Sequence, residues 1–304
     1  MTNRSAKLFL SILISLILIA AGWYIYSYSH PAQPEIDPVT FNGQRAYADV
    51  ETQVAFGPRV PGLEGHAKIR EWMREELTKA GWQVEVQESE ALGHPINNVI
   101  AKRSAEPPQI ILGAHYDSRI FADHDPDPSL RTNYVQGAND GASGVAVLLE
   151  LARTLPEDTH PIWLVFFDAE DNGNIEGWDW ILGSSEFVQN NSIQPRAVII
   201  VDMIGDADLN IYKEVNSDPA LTDEIWATAR NLGYENKFIP EYKHSMLDDH
   251  TPFLRAGMPA IDIIDFDYPY WHTTQDTPDK VSSESLQAVG ETLHAWVMQQ
   301  SEQP

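Results

Sequence analysis

Six short runs rich in β-branched and aromatic residues, several of them separated by helical patterns, constrain the fold of this chain more than any other feature. The runs are Gln83 to Gln87, Asn98 to Lys102, Ile110 to Gly113, Pro161 to Phe167, Ala197 to Asp202 and Ala260 to Ile264. Between Glu64 and Ala80, Ile69, Trp72, Met73 and Leu77 recur at helical spacing, and Gly81 is placed to end that helix. Further helical patterns cover Ser143 to Leu155, Thr222 to Leu232 and Ser285 to Gln299. Strands this apolar need cover on both faces, and the intervening helices supply it. The expected fold is α/β: a three-layer α/β/α sandwich around a mixed, mostly parallel central sheet. At 304 residues and 43% hydrophobic, the chain holds enough apolar material for one large core or two small ones. No internal repeat and no second domain is legible.

A different pattern precedes this unit. After Arg4 and Lys7, an almost uninterrupted apolar run extends from Leu8 to Tyr28. A helix needs about 20 such residues to cross the hydrocarbon of a bilayer, whereas a cleavable signal carries roughly 7–15. Trp23, Tyr24, Tyr26 and Tyr28 crowd the far end, where aromatic rings favour the interface. Residues 1–29 therefore read as a transmembrane signal anchor, N-terminus inside and the remainder extracytoplasmic. Cleavage after Ala20 or Ala21 would instead yield a secreted protein. Residues 30–40, with three prolines between His30 and Pro38, read as a linker, and residues 41–304 as the folded domain.

Composition narrows the chemistry. The 45 acidic and 20 basic residues give a net charge of −25, which repels nucleic-acid phosphates, so nucleic acid is not an expected partner. The chain has no cysteine, which removes thiolate metal ligands and a thiol nucleophile. Any zinc must be held by histidine and carboxylate. Such residues gather at the carboxyl ends of the expected strands, the edge where open α/β sheets bind ligands. His115 and Asp117 follow one strand, and Asp140 sits in a glycine-rich turn that opens a helix. Glu170 and Asp171 follow another strand, Asp202 ends a third, and His272 lies beyond the last. Two imidazoles and several carboxylates form a set suited to zinc with a position left for substrate. Taken singly, Asp140 reads equally well as a helix cap and His272 as a packed histidine; the ordered set carries the argument.

That order, with Phe56-Gly57-Pro58-Arg59-Val60-Pro61-Gly62, Asn97-Asn98-Val99-Ile100 and His272-Thr273-Thr274-Gln275-Asp276-Thr277, resembles the zinc aminopeptidase and glutaminyl cyclase superfamily. The likeness runs from about Phe56 to Val297. In its aminopeptidases two zinc ions share a bridging aspartate. The resemblance then implies His115, Asp140 and Asp202 for one ion, and Asp140, Asp171 and His272 for the other, with Glu170 as general base. In its glutaminyl cyclases only the second ion is kept, and the α-amine of an N-terminal glutamine attacks its own side-chain amide. Leu247-Asp248-Asp249-His250-Thr251-Pro252-Phe253-Leu254, Trp271 before His272, and the loop Ala122-Asp123-His124-Asp125-Pro126-Asp127-Pro128 resemble the cyclases, specifically the bacterial ones of animal type.

The resemblance thus implies one Zn²⁺ on Asp140, Asp171 and His272, with Glu170 and Asp248 catalytic. Trp271, Asp202 and one of Trp178 or Trp180, taken as Trp178, would contact a peptide bearing N-terminal glutamine. The alternatives are an aminopeptidase with two ions, acting on other peptide N-termini, and an inactive binding module. One departure stands out: Asp171 occupies a position where both families commonly have glutamate, so its carboxylate is one methylene shorter.

Overall fold

The structure, a computed structural model, describes residues 40–157 and 159–301. The expected anchor and nearly all of the expected linker lie outside these residues. Among the described residues no helix is long and apolar enough to cross a membrane.

The domain opens with helices α1 (Gly43–Ala55) and α2 (Glu64–Lys79) and a hairpin of β1 (Gln83–Ala91) and β2 (His94–Lys102). Then follow β3 (Ile110–His115), α3 (Ala142–Thr154), β4 (Ile162–Phe167), α4 (Leu182–Asn190) and β5 (Ala197–Asp202). The chain continues through β6 (Ile211–Lys213), α5 (Pro219–Asn231), β7 (Phe238–Tyr242), α6 (Thr251–Arg255), β8 (Ala260–Ile264) and α7 (Ser283–Ser301). The main sheet has the order β1-β2-β4-β3-β5-β8. Its hairpin and the β2–β4 pairing are antiparallel, and β4, β3, β5 and β8 run parallel. A short parallel pair, β6 with β7, stands apart.

The period of two along each strand sorts side chains between two cores. Ile110, Leu112 and Ala114 of β3, with Ile261 and Ile263 of β8, join one cluster with apolar residues of α1, α2, α3, α5 and α7. Ile111, Val165, Val198 and Ile200 point the other way and pack with Phe187 of α4 and Phe253 of α6. This is the expected three-layer sandwich. Gly81, with φ +85°, follows the last residues of α2 as its sequence position suggests. The hairpin is longer than its apolar residues indicate, because Glu85, Glu88 and Glu90 face water and hide the strand pattern.

Candidate metal site and active pocket

Parallel pairing brings the chemistry to one edge. His115 at the end of β3 lies opposite Phe167 at the end of β4, and Asp202 ends β5 opposite Ile264 of β8. Just past the ends of β4 and β5, and again at His272 in the loop after β8, the backbone turns through left-handed residues that are not glycine: Ala169 (φ 51°), Met203 (φ 47°) and His272 itself (φ 54°). Such a conformation costs on the order of 1–3 kcal/mol and collects at functional sites.

Asp140 reaches the site because its loop is tied down. The buried Arg59 guanidinium donates to the carbonyls of Tyr116, Gln136 and Gly137. The Asp276 carboxylate accepts the backbone N–H groups of Asn139 and Asp140 at 2.8 and 3.2 Å. Helix α3 is capped by Gly141 without a side-chain hydrogen bond, so the capping role open to Asp140 in the sequence is not the one it takes. Gly141 is required by proximity: a Cβ there would lie 2.4 Å from His115 Nε2.

Two donor sets result, each with its ligand atoms within 4.8 Å of one another: His115, Asp140 and Asp202, and Asp140, Asp171 and His272. His115 Nε2 lies 3.1 Å from both Asp140 Oδ1 and Asp202 Oδ1. On the other side His272 Nε2 lies 2.8 Å from Asp171 Oδ1 and 3.7 Å from Asp140 Oδ2. The second oxygens of Asp140 and Asp171 are buried with no hydrogen-bond partner. A buried, unpaired carboxylate oxygen is costly, and a cation between them removes that cost. Hard oxygens with one imidazole nitrogen suit zinc, and the shorter Asp171 still brings its carboxylate to His272. The departure from glutamate therefore leaves the donor set intact.

Asp117, given no role by the sequence reading, is the hub behind this edge. It accepts the backbone N–H groups of Glu170 and Asp171 and the Asn172 amide, and lies 3.4 Å from His115 Nδ1. Its place two residues after His115 is the signal that marks it.

A cavity of about 180 Å³ opens beside the donors. Asp140, Glu170, Asp171, Asp202 and Asp248 offer it carboxylates, while Trp180, Met246, Leu247, Ile264, Phe266 and Trp271 form an apolar wall. The tryptophan expected from the turn after Asp171 must be corrected: Trp180 lines the cavity and Trp178 does not. Trp178 stacks on His94 of the hairpin, with ring centroids 3.6 Å apart, and packs against the Ile96, Ala169 and Leu182 cluster. Trp180 instead lies nearly parallel to the His272 ring, with centroids 6.0 Å apart.

Burial, followed by the nearby Asp248 carboxylate, pushes the Glu170 carboxyl well above its ordinary range. Burial also raises Asp202 to about 7, Asp171 to about 6, and Asp248. Burial lowers the His272 imidazole, but Asp171, Asp123 and Asp140 together outweigh it and carry the ring to about 9. Beneath Asp248 lie Asp249 and Asp262, both raised well above the usual range by burial and then by Asp248. Carboxylates packed this closely share protons. Asp262 went unassigned in the sequence, although a lone acid inside the apolar strand Ala260–Ile264 is a legible oddity. The acidic loop after Ile120 is also more than a solvated turn. His124 N–H donates to the His272 carbonyl, and Asp125 accepts from the Thr274 backbone and hydroxyl.

Carboxylates and imidazoles gathered at the carboxyl edge of a mixed α/β/α sheet define the site of a zinc-dependent enzyme. Residues 98–297 match peptidase family M28, and the chain belongs to that family. It is similar to the solved glutaminyl cyclase of Tannerella forsythia, at 37% identity over 85% of this chain and 98% of that one, with a TM-score of 0.80. It is also similar to a Zn-dependent exopeptidase from Parabacteroides distasonis, at 33% identity over 85% and 98%, with a TM-score of 0.80. A glutaminyl-peptide cyclotransferase of Bothrops jararaca is 26% identical over 290 residues, covering 79% of this chain and 77% of that protein.

Proposed function

We propose that this protein cyclises the N-terminal glutamine of peptides to pyroglutamate, releasing ammonia. The observation that carries the reading is the second buried carboxylate, Asp248, which faces the same small apolar-walled cavity as Glu170. Glutaminyl cyclases among its relatives support it.

Zinc held by Asp140, Asp171 and His272 would act as a Lewis acid toward the γ-carbonyl oxygen of the substrate glutamine. A single ion is favoured because Asp171 Oδ2, which belongs to that donor set alone, and the shared Asp140 Oδ2 are buried without a partner. His115, by contrast, has Asp117 beside its Nδ1 at 3.4 Å, where His272 Nδ1 has no hydrogen-bond partner. Trp180, Trp271 and Phe266 enclose the glutamine side chain and keep water from its amide. The α-amine nitrogen bonds to the carbonyl carbon of the side-chain amide, Cδ, while the bond from that carbon to the amide nitrogen breaks. Glu170 takes a proton from the attacking amine and returns it to the leaving nitrogen, which departs as ammonia. A carboxyl whose pKa lies above the ordinary range suits both halves of that transfer. Asp248 and Asp202 hold the amine by hydrogen bonds as its charge changes.

Residues 1–29 would anchor the domain outside the cytoplasm, a reading supported by the length and hydropathy of Leu8 to Tyr28. The activity is tested by giving the purified protein a Gln-initiated and a Leu-initiated peptide and reading products by mass, with zinc counted per chain. Loss of ammonia from the first peptide with one zinc bound is expected. Release of N-terminal leucine with two zincs bound would establish the aminopeptidase instead.

A further inference from the structure

One ring nitrogen of His272 has no partner in this structure. His272 presents Nε2 to Asp140 and Asp171, and its Nδ1 is buried with no hydrogen-bond partner. An imidazole that gives Nε2 to a metal must carry its proton on Nδ1, and that proton needs an acceptor to fix the ring's tautomer and tilt. The carboxylate facing Nδ1 is Asp123, whose Oδ1 stands 3.6 Å away, in the loop whose next residue donates to the His272 carbonyl.

Asp123 is itself held. Arg119, almost fully buried, donates from Nε to Asp123 Oδ1 at 2.9 Å and from Nη2 to Oδ2 at 2.7 Å. The same guanidinium donates to the backbone carbonyls of Asp171 and Gly173 at 2.8 and 3.1 Å. It also lies 5.0 Å from the centre of the Trp180 ring. A single cation therefore touches the backbone of one metal ligand, a wall of the cavity, and the carboxylate behind the other ligand.

We propose that Asp123 is a positioning residue that accepts the Nδ1 proton of His272 and so aims Nε2 at the metal, with Arg119 setting the distance between Asp123 and Asp171. The inference rests on the assignment of His272 as a zinc ligand. It gives the acidic loop after Ile120 a purpose that its exposure hides.

The test is a double-mutant cycle read in zinc affinity, by competition with a chelator, on the folded protein. Asp123→Asn should weaken zinc by roughly 10–100-fold, the usual effect of losing such an outer partner. In a His272→Ala background, where residual zinc binding is read at higher free zinc, the same change should have no further effect, because the group it acts through is gone. Asp123→Glu, which keeps the charge, should recover part of the loss. The visible spectrum of the cobalt-loaded protein should shift in Asp123→Asn as the imidazole tilts. Unchanged zinc affinity and an unchanged cobalt spectrum in Asp123→Asn would overturn the proposal, as would an equal loss in both backgrounds. Full zinc affinity in His272→Ala alone would instead remove the ligand assignment beneath it.

Discussion

The two halves of the metal cradle share Asp140 and differ in what surrounds it. On the His115 side the imidazole is already engaged: Nε2 lies against Asp140 and Asp202, and Nδ1 faces Asp117. On the His272 side, Asp140 Oδ2, Asp171 Oδ2 and His272 Nδ1 are all buried without partners. A buried polar atom left unpaired is a standing cost to the fold, on the order of 1–3 kcal/mol for each neutral group and more for a charged one. Both imidazoles touch a carboxylate through Nε2, His272 at 2.8 Å from Asp171, but the second half leaves these atoms unpaired, and under the proposed single zinc that half takes the cation. On that proposal, similar residues at similar strand ends are structural on one side of a shared aspartate and metal-binding on the other.

Breaking the His272 half should have the largest effect. His272→Ala is expected to lose zinc and cyclisation together, read as metal per chain and as ammonia released; a fully loaded variant would reverse the assignment of the two halves. Next comes Glu170→Gln, which leaves the donors in place. Its turnover should fall by roughly 10²–10⁴-fold, the range of a lost general acid-base group, with zinc content unchanged. Near-normal turnover would mean that another group moves the proton.

Asp248→Asn tests how the carboxylates beside the cradle are coupled. Only ionised Glu170 can take the proton of the attacking amine, so the acidic limb of kcat/KM follows its pKa. Burial, and after it Asp248, raises that pKa above the ordinary 4.5. Removing one negative neighbour makes Glu170 easier to ionise, so the limb should move to lower pH while the rate falls about tenfold. A limb that stays in place, measured on the Gln-initiated peptide, would detach Asp248 from Glu170.

The frame and the edge of this site are legible in the sequence, and its orientations are not. Strand ends are marked by where apolar runs stop, so the sequence alone places His115, Asp140, Glu170, Asp171, Asp202 and His272 on one edge. The choice between Trp178 and Trp180 could not be made, because the turn after Asp171 has no period to assign a side. Only the hairpin's His94, far away in sequence, decides it. Arg59 illustrates a different limit. Its partners Gln136 and Gly137 lie 77 and 78 residues on, and nothing local encodes their meeting. Helix α1 escaped notice for a local reason: Asp49 and Gln53 lie on its buried face beside Ala46 and Val50, which blurs the apolar stripe. The pair β6 and β7 is too short to stand out, and most of β7 is exposed or half-buried.

The smallest effect is expected on the His115 side, and it is the one that would sharpen the contrast most. His115→Ala removes the imidazole between Asp140 and Asp202 without touching Asp171, His272 or Glu170. Zinc should stay at one per chain, and turnover should fall by less than about tenfold, since no group in the proton path is lost. The fold should feel the change more than the chemistry does. Asp202 then keeps its burial but loses the imidazole beside it, a penalty of about 1–3 kcal/mol, visible as a lower unfolding midpoint. If His115→Ala instead took away metal and activity as His272→Ala does, the two halves would be equivalent. The protein would then have to be read as a two-zinc aminopeptidase, in which the pairing of His115 with Asp202 is only what the cradle adopts without its ion.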